Sequence, residues 1–248
     1  MADDRPVRLH CFAHSGGASP FQNWTVDVGP GVVPVPVLLP GGERRPGEPR
    51  VTTHEALIAD LLPHFTDVGR EPYVLYGHGL GAMVALCVTR ALHEAGLPGP
   101  ALLAVAAWPP PPAPADLPDT RGATDDELLQ RLSSRGGVPL TSDEGVWLRA
   151  ALPVIRADME LAESLHAALG RPSPAGPLRT PLLVISSQEN PLARDSATGD
   201  WQAWTQGPIH SRTVPGRHFF SGSHELPRLL GRACRVVRRV EAQPVPVG

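Results

Sequence analysis

Six short apolar runs punctuate the chain, at Arg8–Ala13, Val33–Leu39, Tyr73–Gly77, Ala101–Ala107, Leu182–Ser186 and Ser211–Val214. Their length and β-branched content read as strands. Helical periodicity fills most of the gaps between them. Thr52-Thr53-His54-Glu55 has the spacing of a capping box, with Thr52 as cap, and opens a helix to about Phe65. Leu80–Ala95 reads as a helix that Gly96 can end. A last helix is expected from Ser223 to Val240, with Leu226, Leu229, Leu230, Ala233 and Val237 on its apolar face. Strands alternating with helices predict an α/β domain: a mostly parallel central sheet with helices on both faces. The proline-rich stretch Pro109–Pro118 cannot join a sheet interior. Helical stretches follow near Thr124–Ser133, Ser142–Ala151 and Pro153–Leu169. Residues 109–177 are therefore read as a helical lid inserted into a single domain spanning 1–248, and the tail from Ala242 as disordered.

Composition narrows the function. A chain of 248 residues with 42% hydrophobic and 19% charged residues fits one globular domain. A net charge of −3 offers no basic field for nucleic acid. All 22 basic residues are arginine, a coding bias from which no mechanism follows. Cys11, Cys87 and Cys234 are far apart, and Cys11 and Cys87 lie in apolar runs, so they read as core residues with no metal-ligand spacing. No metal or cofactor is expected. No stretch is apolar enough to span a bilayer, and a soluble cytoplasmic protein is the expectation.

The chemistry concentrates in four segments. Gly77-His78-Gly79-Leu80-Gly81 sits between a strand and a helix, the context of a G-x-S-x-G nucleophile elbow, yet the nucleophile position holds Gly79. Glycine tolerates the elbow's backbone, so the turn is expected to persist with a small void open to a water or a substrate atom. His14-Ser15-Gly16-Gly17-Ala18 follows the first strand. In elbow hydrolases such a loop supplies one oxyanion donor and the residue after the nucleophile the other, here the amides of Ser15 and Leu80. His218, after the last strand, fits the base of a Ser…Asp…His order. The acid position, after the strand at 182, holds Asn190, with Glu189 and Asp195 nearby; Asn can orient an imidazole but adds no charge. His14, His78, Trp108 and Phe219 flank these positions and are candidate substrate contacts, though His78 also suits packing.

Together these segments resemble the type II thioesterases of polyketide and nonribosomal peptide pathways, which are α/β-hydrolases. The likeness covers nearly the whole chain. It rests on His14–Ala18, Phe21 to Trp24, Leu39-Pro40-Gly41-Gly42-Glu43-Arg44, Gly77–Gly81 and Gly216-Arg217-His218-Phe219-Phe220. The resemblance implies an α/β-hydrolase fold, a helical lid, and carrier-protein or phosphopantetheine-tethered acyl groups as substrate. A free polyketide-like small molecule is the other partner considered, with neither nucleic acid nor membrane. The chain departs from the pattern at Gly79, at Asn190, and at Ala107-Trp108, where a glycine-arginine stretch is expected.

Without a side chain at residue 79 no acyl-enzyme can form there. The expected activity is nonhydrolytic acid–base chemistry on an acyl or polyketide substrate, such as cyclisation, elimination or proton transfer. His218 would move the proton, the Ser15 and Leu80 amides would hold an oxyanion, and Asn190 would orient the ring. The alternatives are a pseudo-thioesterase that binds a carrier protein or synthase, and a weak acyl-thioester hydrolase. Gly77–Ala82 also matches G-x-G-x-x-G/A, but the acid a dinucleotide site wants after the next strand is missing.

Overall fold

A computed structural model describes residues 5–14, 18–66, 71–111, 122–136, 143–187, 195–215 and 223–242. Six strands, β1 (Val7–Phe12), β2 (Val32–Pro36), β3 (Tyr73–His78), β4 (Leu102–Ala106), β5 (Leu182–Ser187) and β6 (Ile209–Val214), form one sheet in the order β2-β1-β3-β4-β5-β6. Every pairing is parallel. Pro34 and Pro36 fall on β2, an edge strand, where a missing N–H breaks no second ladder.

The helices divide between the faces as right-handed crossovers require. The short α1 (Trp24–Asp27) links β1 to β2 and packs with the final helix α6 (Glu225–Glu241) on one face. On the other face lie α2 (His54–Thr66), α3 (Leu80–Glu94) and α5 (Asp143–Leu169), in mutual contact. α3 is buried at every residue from Leu80 to Thr89, because α2 and α5 flank it and the sheet lies beneath. Such a helix reads as apolar all round rather than as a stripe. Gly96, at φ +65°, closes its end as expected.

Two local expectations need correction. The cap of α2 is Thr53, not Thr52: the Thr53 hydroxyl accepts the Ala56 N–H at 3.2 Å, and the His54 N–H finds Ser164 on α5 at 2.9 Å. The predicted break before Pro153 does not occur, and α5 runs through it for 27 residues. Its far half places Leu161, Ala162, Leu165 and Leu169 in the main core, and that burial outweighs the hydrogen bond a proline removes. Cys234, whose burial the sequence left open, joins the buried face of α6 with Leu226, Leu230 and Val237.

Within the region read as a lid, α4 (Asp125–Gly136) and the first half of α5 form their own small cluster of Leu128, Leu129, Leu152 and Met159. Most of Pro109–Pro118 and the tail beyond Ala242 lie outside the described residues. No helix among the described residues is long and apolar enough to cross a membrane.

β1 also carries a half-buried histidine. His10 meets the rings of Phe65 and Tyr73 edge-on, with centroids 5.2 and 5.7 Å away, and its Nε2 is buried with no hydrogen-bond partner among the described residues. Burial, reinforced by the Arg8 charge, pushes its pKa down to about 4. An unfolded imidazole takes up its proton below about 6.5, whereas the folded one waits until about 4. Between those values the unfolded chain holds more protons, so stability falls as pH drops through that window. Urea denaturation at pH 7.5 and 4.5 should show a loss of about 2–3 kcal/mol from this group, and His10→Phe should flatten that slope.

Candidate functional site

The fold selects a place before any side chain is considered. The chain leaves β1 toward α1 on one face and leaves the neighbouring β3 toward α3 on the other. A parallel sheet opens a crevice at such a switch point, beyond the carboxyl ends of the strands. The β1–β3 register pairs Phe12 with Gly77, so two residues further on His14 comes abreast of Gly79.

Gly79 is the turn between β3 and α3, at φ +56° and ψ −123°. An L side chain is strained in this conformation and glycine is not. The turn is tied down on both sides: the Gly79 N–H donates to the Ala106 carbonyl at 2.9 Å, and its own carbonyl accepts the Ala82 N–H at 2.9 Å. The outer glycines allow close approach. A Cβ on Gly77 would lie 2.1 Å from the Gly81 carbonyl oxygen, and one on Gly81 would lie 2.2 Å from that of Phe12. The first turn of α3 therefore rests on the backbones of β3 and β1. This packing accounts for Gly77 and Gly81, and the backbone conformation accounts for Gly79.

The expected void at residue 79 is not there. A Cβ on Gly79 would stand 2.2 Å from His14 Nδ1, with Cε1 and Cγ of the same ring at 3.1 and 3.2 Å. The imidazole occupies the space that a side chain would use. The Leu80 N–H, the candidate oxyanion donor, donates to His14 Nδ1 at 3.4 Å. An Nδ1 that accepts carries no hydrogen, so the neutral ring bears its proton on Nε2.

The other candidates separate. His78 is 2% exposed, and its Nδ1 lies 3.2 Å from the Tyr76 hydroxyl, on the sheet face where Phe21 and Trp24 pack against Tyr76. Trp108 is buried in the same apolar cluster as Phe12, Leu80 and Met83. It follows Ala107, whose φ of +57° is left-handed, at the carboxyl end of β4. Ser15, Asn190, His218 and Phe219 lie outside the described residues. The strands that lead to them are described: β1 ends at Phe12, β5 at Ser187 and β6 at Val214, at the carboxyl edge that Gly79 shares. A cavity of about 830 Å³ sits at the opposite end, lined by residues such as Tyr73, Leu102, Leu183 and Val236. α6 lines one side of it through Leu229, Ala233 and Val237, and the crevice at Gly79 is a separate place.

Two polar residues that sequence reasoning left without a role hold the surroundings. The Glu43 carboxylate accepts the Ala18 N–H at 3.0 Å and the Ser19 hydroxyl at 2.8 Å. Those bonds, the Ser19 hydroxyl first, lower its pKa. Arg45 donates twice to Asp60 on α2, at 2.9 and 2.7 Å, and once to the Leu38 carbonyl at 3.2 Å. These bonds fasten the segment after β2 to α2 and to the residues that follow the β1 loop. Glu43 lies within the Leu39–Arg44 motif and Arg45 just past it, but their partners Ala18, Ser19 and Asp60 are distant in sequence.

Residues 7–235 match the thioesterase domain family. This chain belongs to the thioesterase family. Thioesterase PikA5 of Streptomyces venezuelae is 30% identical over 240 residues, covering 91% of this chain and 80% of the relative. A probable cadicidin biosynthesis thioesterase of Streptomyces griseus is 29% identical over 230 residues; the match covers 90% of this chain but 60% of that relative's length. Among solved structures, the RedJ thioesterase of the prodiginine pathway in Streptomyces coelicolor is 30% identical with a TM-score of 0.76, covering 93% of this chain and 87% of the other. The fold expected from the resemblance is thus present. In this thioesterase-family chain Gly81 is required by packing alone. Gly81→Ala should cost about 3 kcal/mol in urea denaturation, because its new methyl meets main chain. Gly47→Ala, with open space around it, should stay within about 0.5 kcal/mol.

Proposed function

We infer that this thioesterase-family protein handles acyl groups in polyketide or nonribosomal peptide biosynthesis without forming an ester on residue 79. One observation carries the reading: the turn at Gly79 keeps a left-handed backbone at the head of α3, while a neighbouring imidazole fills the side-chain space. Two of the similar proteins support the pathway, since one is named as a probable biosynthesis thioesterase and the other as the thioesterase of a biosynthetic pathway. The substrate is an acyl or polyketide chain, presented on a carrier protein or free. α4 and the first half of α5 serve as the lid over it.

The chemistry assigned to the site is proton transfer. His218 lies four residues past the end of β6 and acts as acid and base. Asn190 lies three residues past the end of β5 and orients the ring. The Ser15 and Leu80 amides receive the developing oxyanion. An enolate or alkoxide needs such donors and a single base, and does not need a nucleophile from the protein. A second reading, a carrier-binding protein with no turnover, is favoured by the Leu80 amide being already engaged by His14.

Intact-mass measurement on the protein and on an acyl-carrier thioester incubated with it separates the readings. Proton-transfer chemistry predicts a rearranged or dehydrated acyl chain still on the carrier, no acyl adduct on the protein, and a rate about 10²–10⁴-fold lower in His218→Ala. An acyl adduct on the unmodified protein would sink both readings. A tightly bound but unchanged carrier would select the second.

A further inference from the structure

We propose that His14 is a side-chain gate over the Leu80 amide. Its imidazole occupies the space that a residue-79 side chain would take, and a carbonyl oxygen reaches the amide only after the ring swings out. The closure itself follows from the geometry; that an acyl carbonyl is what enters rests on the function proposed above.

Three observations converge. First, the ring is within 2.2 Å of the place where any Cβ at residue 79 would stand, so this closed position exists only because residue 79 is glycine. Second, the ring makes the donor's bond: Leu80 N–H points at Nδ1 over 3.4 Å, the direction in which an oxyanion would otherwise accept. Third, that bond is at the long end of N–H hydrogen bonds, so the Leu80 donor is weakly engaged by the ring. Phe12 is held in β1 and Ala18 by the Glu43 carboxylate. Gly79 and His14 therefore form a pair: the loss of one side chain admits the other.

The gate also accounts for what a simple reversion would meet. Placing serine at 79 drives its Cβ into the ring, so the ring must leave before the hydroxyl can be used.

The test uses the ¹⁵N-labelled full chain with two variants, His14→Ala, which removes the ring, and Gly79→Ser, which displaces it without touching residue 14. Leu80 amide hydrogen exchange is read first, with no ligand, and should accelerate about tenfold or more in both variants. Titration with hexanoyl-N-acetylcysteamine thioester is read next. His14→Ala should bind it about tenfold more tightly than the unmodified protein, with the Leu80 amide resonance moving on binding. Exchange at the unmodified rate in both variants would overturn the closure. Faster exchange with equal thioester affinity would overturn the gate. Faster exchange with no form binding the thioester would leave the closure standing and remove the acyl reading of the proposed function instead.

Discussion

The site depends on a backbone contact with no side chain in it. Gly81, in the first turn of α3, lies against the carbonyl of Phe12 at the end of β1, and Gly77 lies against Gly81 in turn. Because nothing separates these main chains, β3 and α3 turn sharply beside the exit of β1. His14 and Gly79 then meet as a consequence of register. Hydrogen bonds from Gly79 to Ala106 and from Ala82 back to Gly79 hold the same turn against β4. The geometry at residue 79 is thus set by its neighbours and not by anything residue 79 itself contributes.

Around that contact the topology does the placing. In an all-parallel sheet every strand delivers its following loop to one edge, so segments far apart in sequence converge there. Right-handed crossovers then send the β1 exit to the α1 face and the β3 exit to the α3 face, which opens the crevice. Glu43 and Arg45 stabilise the residues beside this crevice through Ala18, Ser19 and Asp60. Glu43 lies 25 residues from Ala18, so these ties form only once β2 is alongside β1.

Much of this was legible in the chain. The six apolar runs correspond to the six strands, and the glycine stop after α3 falls at Gly96. Strand and helix periods are local, and local pattern was enough. What failed were choices settled by distant partners. Thr52 has the capping-box spacing to Glu55, yet Ser164 on α5 accepts the His54 N–H and the helix starts one residue later than expected, with Thr53 as cap. Pro153 is a breaker by its own chemistry, yet α5 continues because its far half is buried on α3. The motif around residue 79 announced a turn and a missing side chain. It said nothing of a ring arriving from a strand whose register was still unknown.

That arrival changes what the glycine means. In an elbow that carries a nucleophile, the left-handed backbone is a strain of about 1–3 kcal/mol that the surrounding structure must hold. Here glycine adopts φ +56° without that strain, and the packing that would have held it is still present. The turn is consequently more secure than its nucleophile-bearing counterpart, and its persistence needs no catalytic explanation. The imidazole has a different basis: an apolar group beside the Leu80 amide would leave the donor unsatisfied at a cost of about 1–3 kcal/mol, so the space calls for an acceptor. A histidine whose acceptor nitrogen faces the Leu80 N–H satisfies that donor and can also release it. This is the property that separates a movable cover from mere filling.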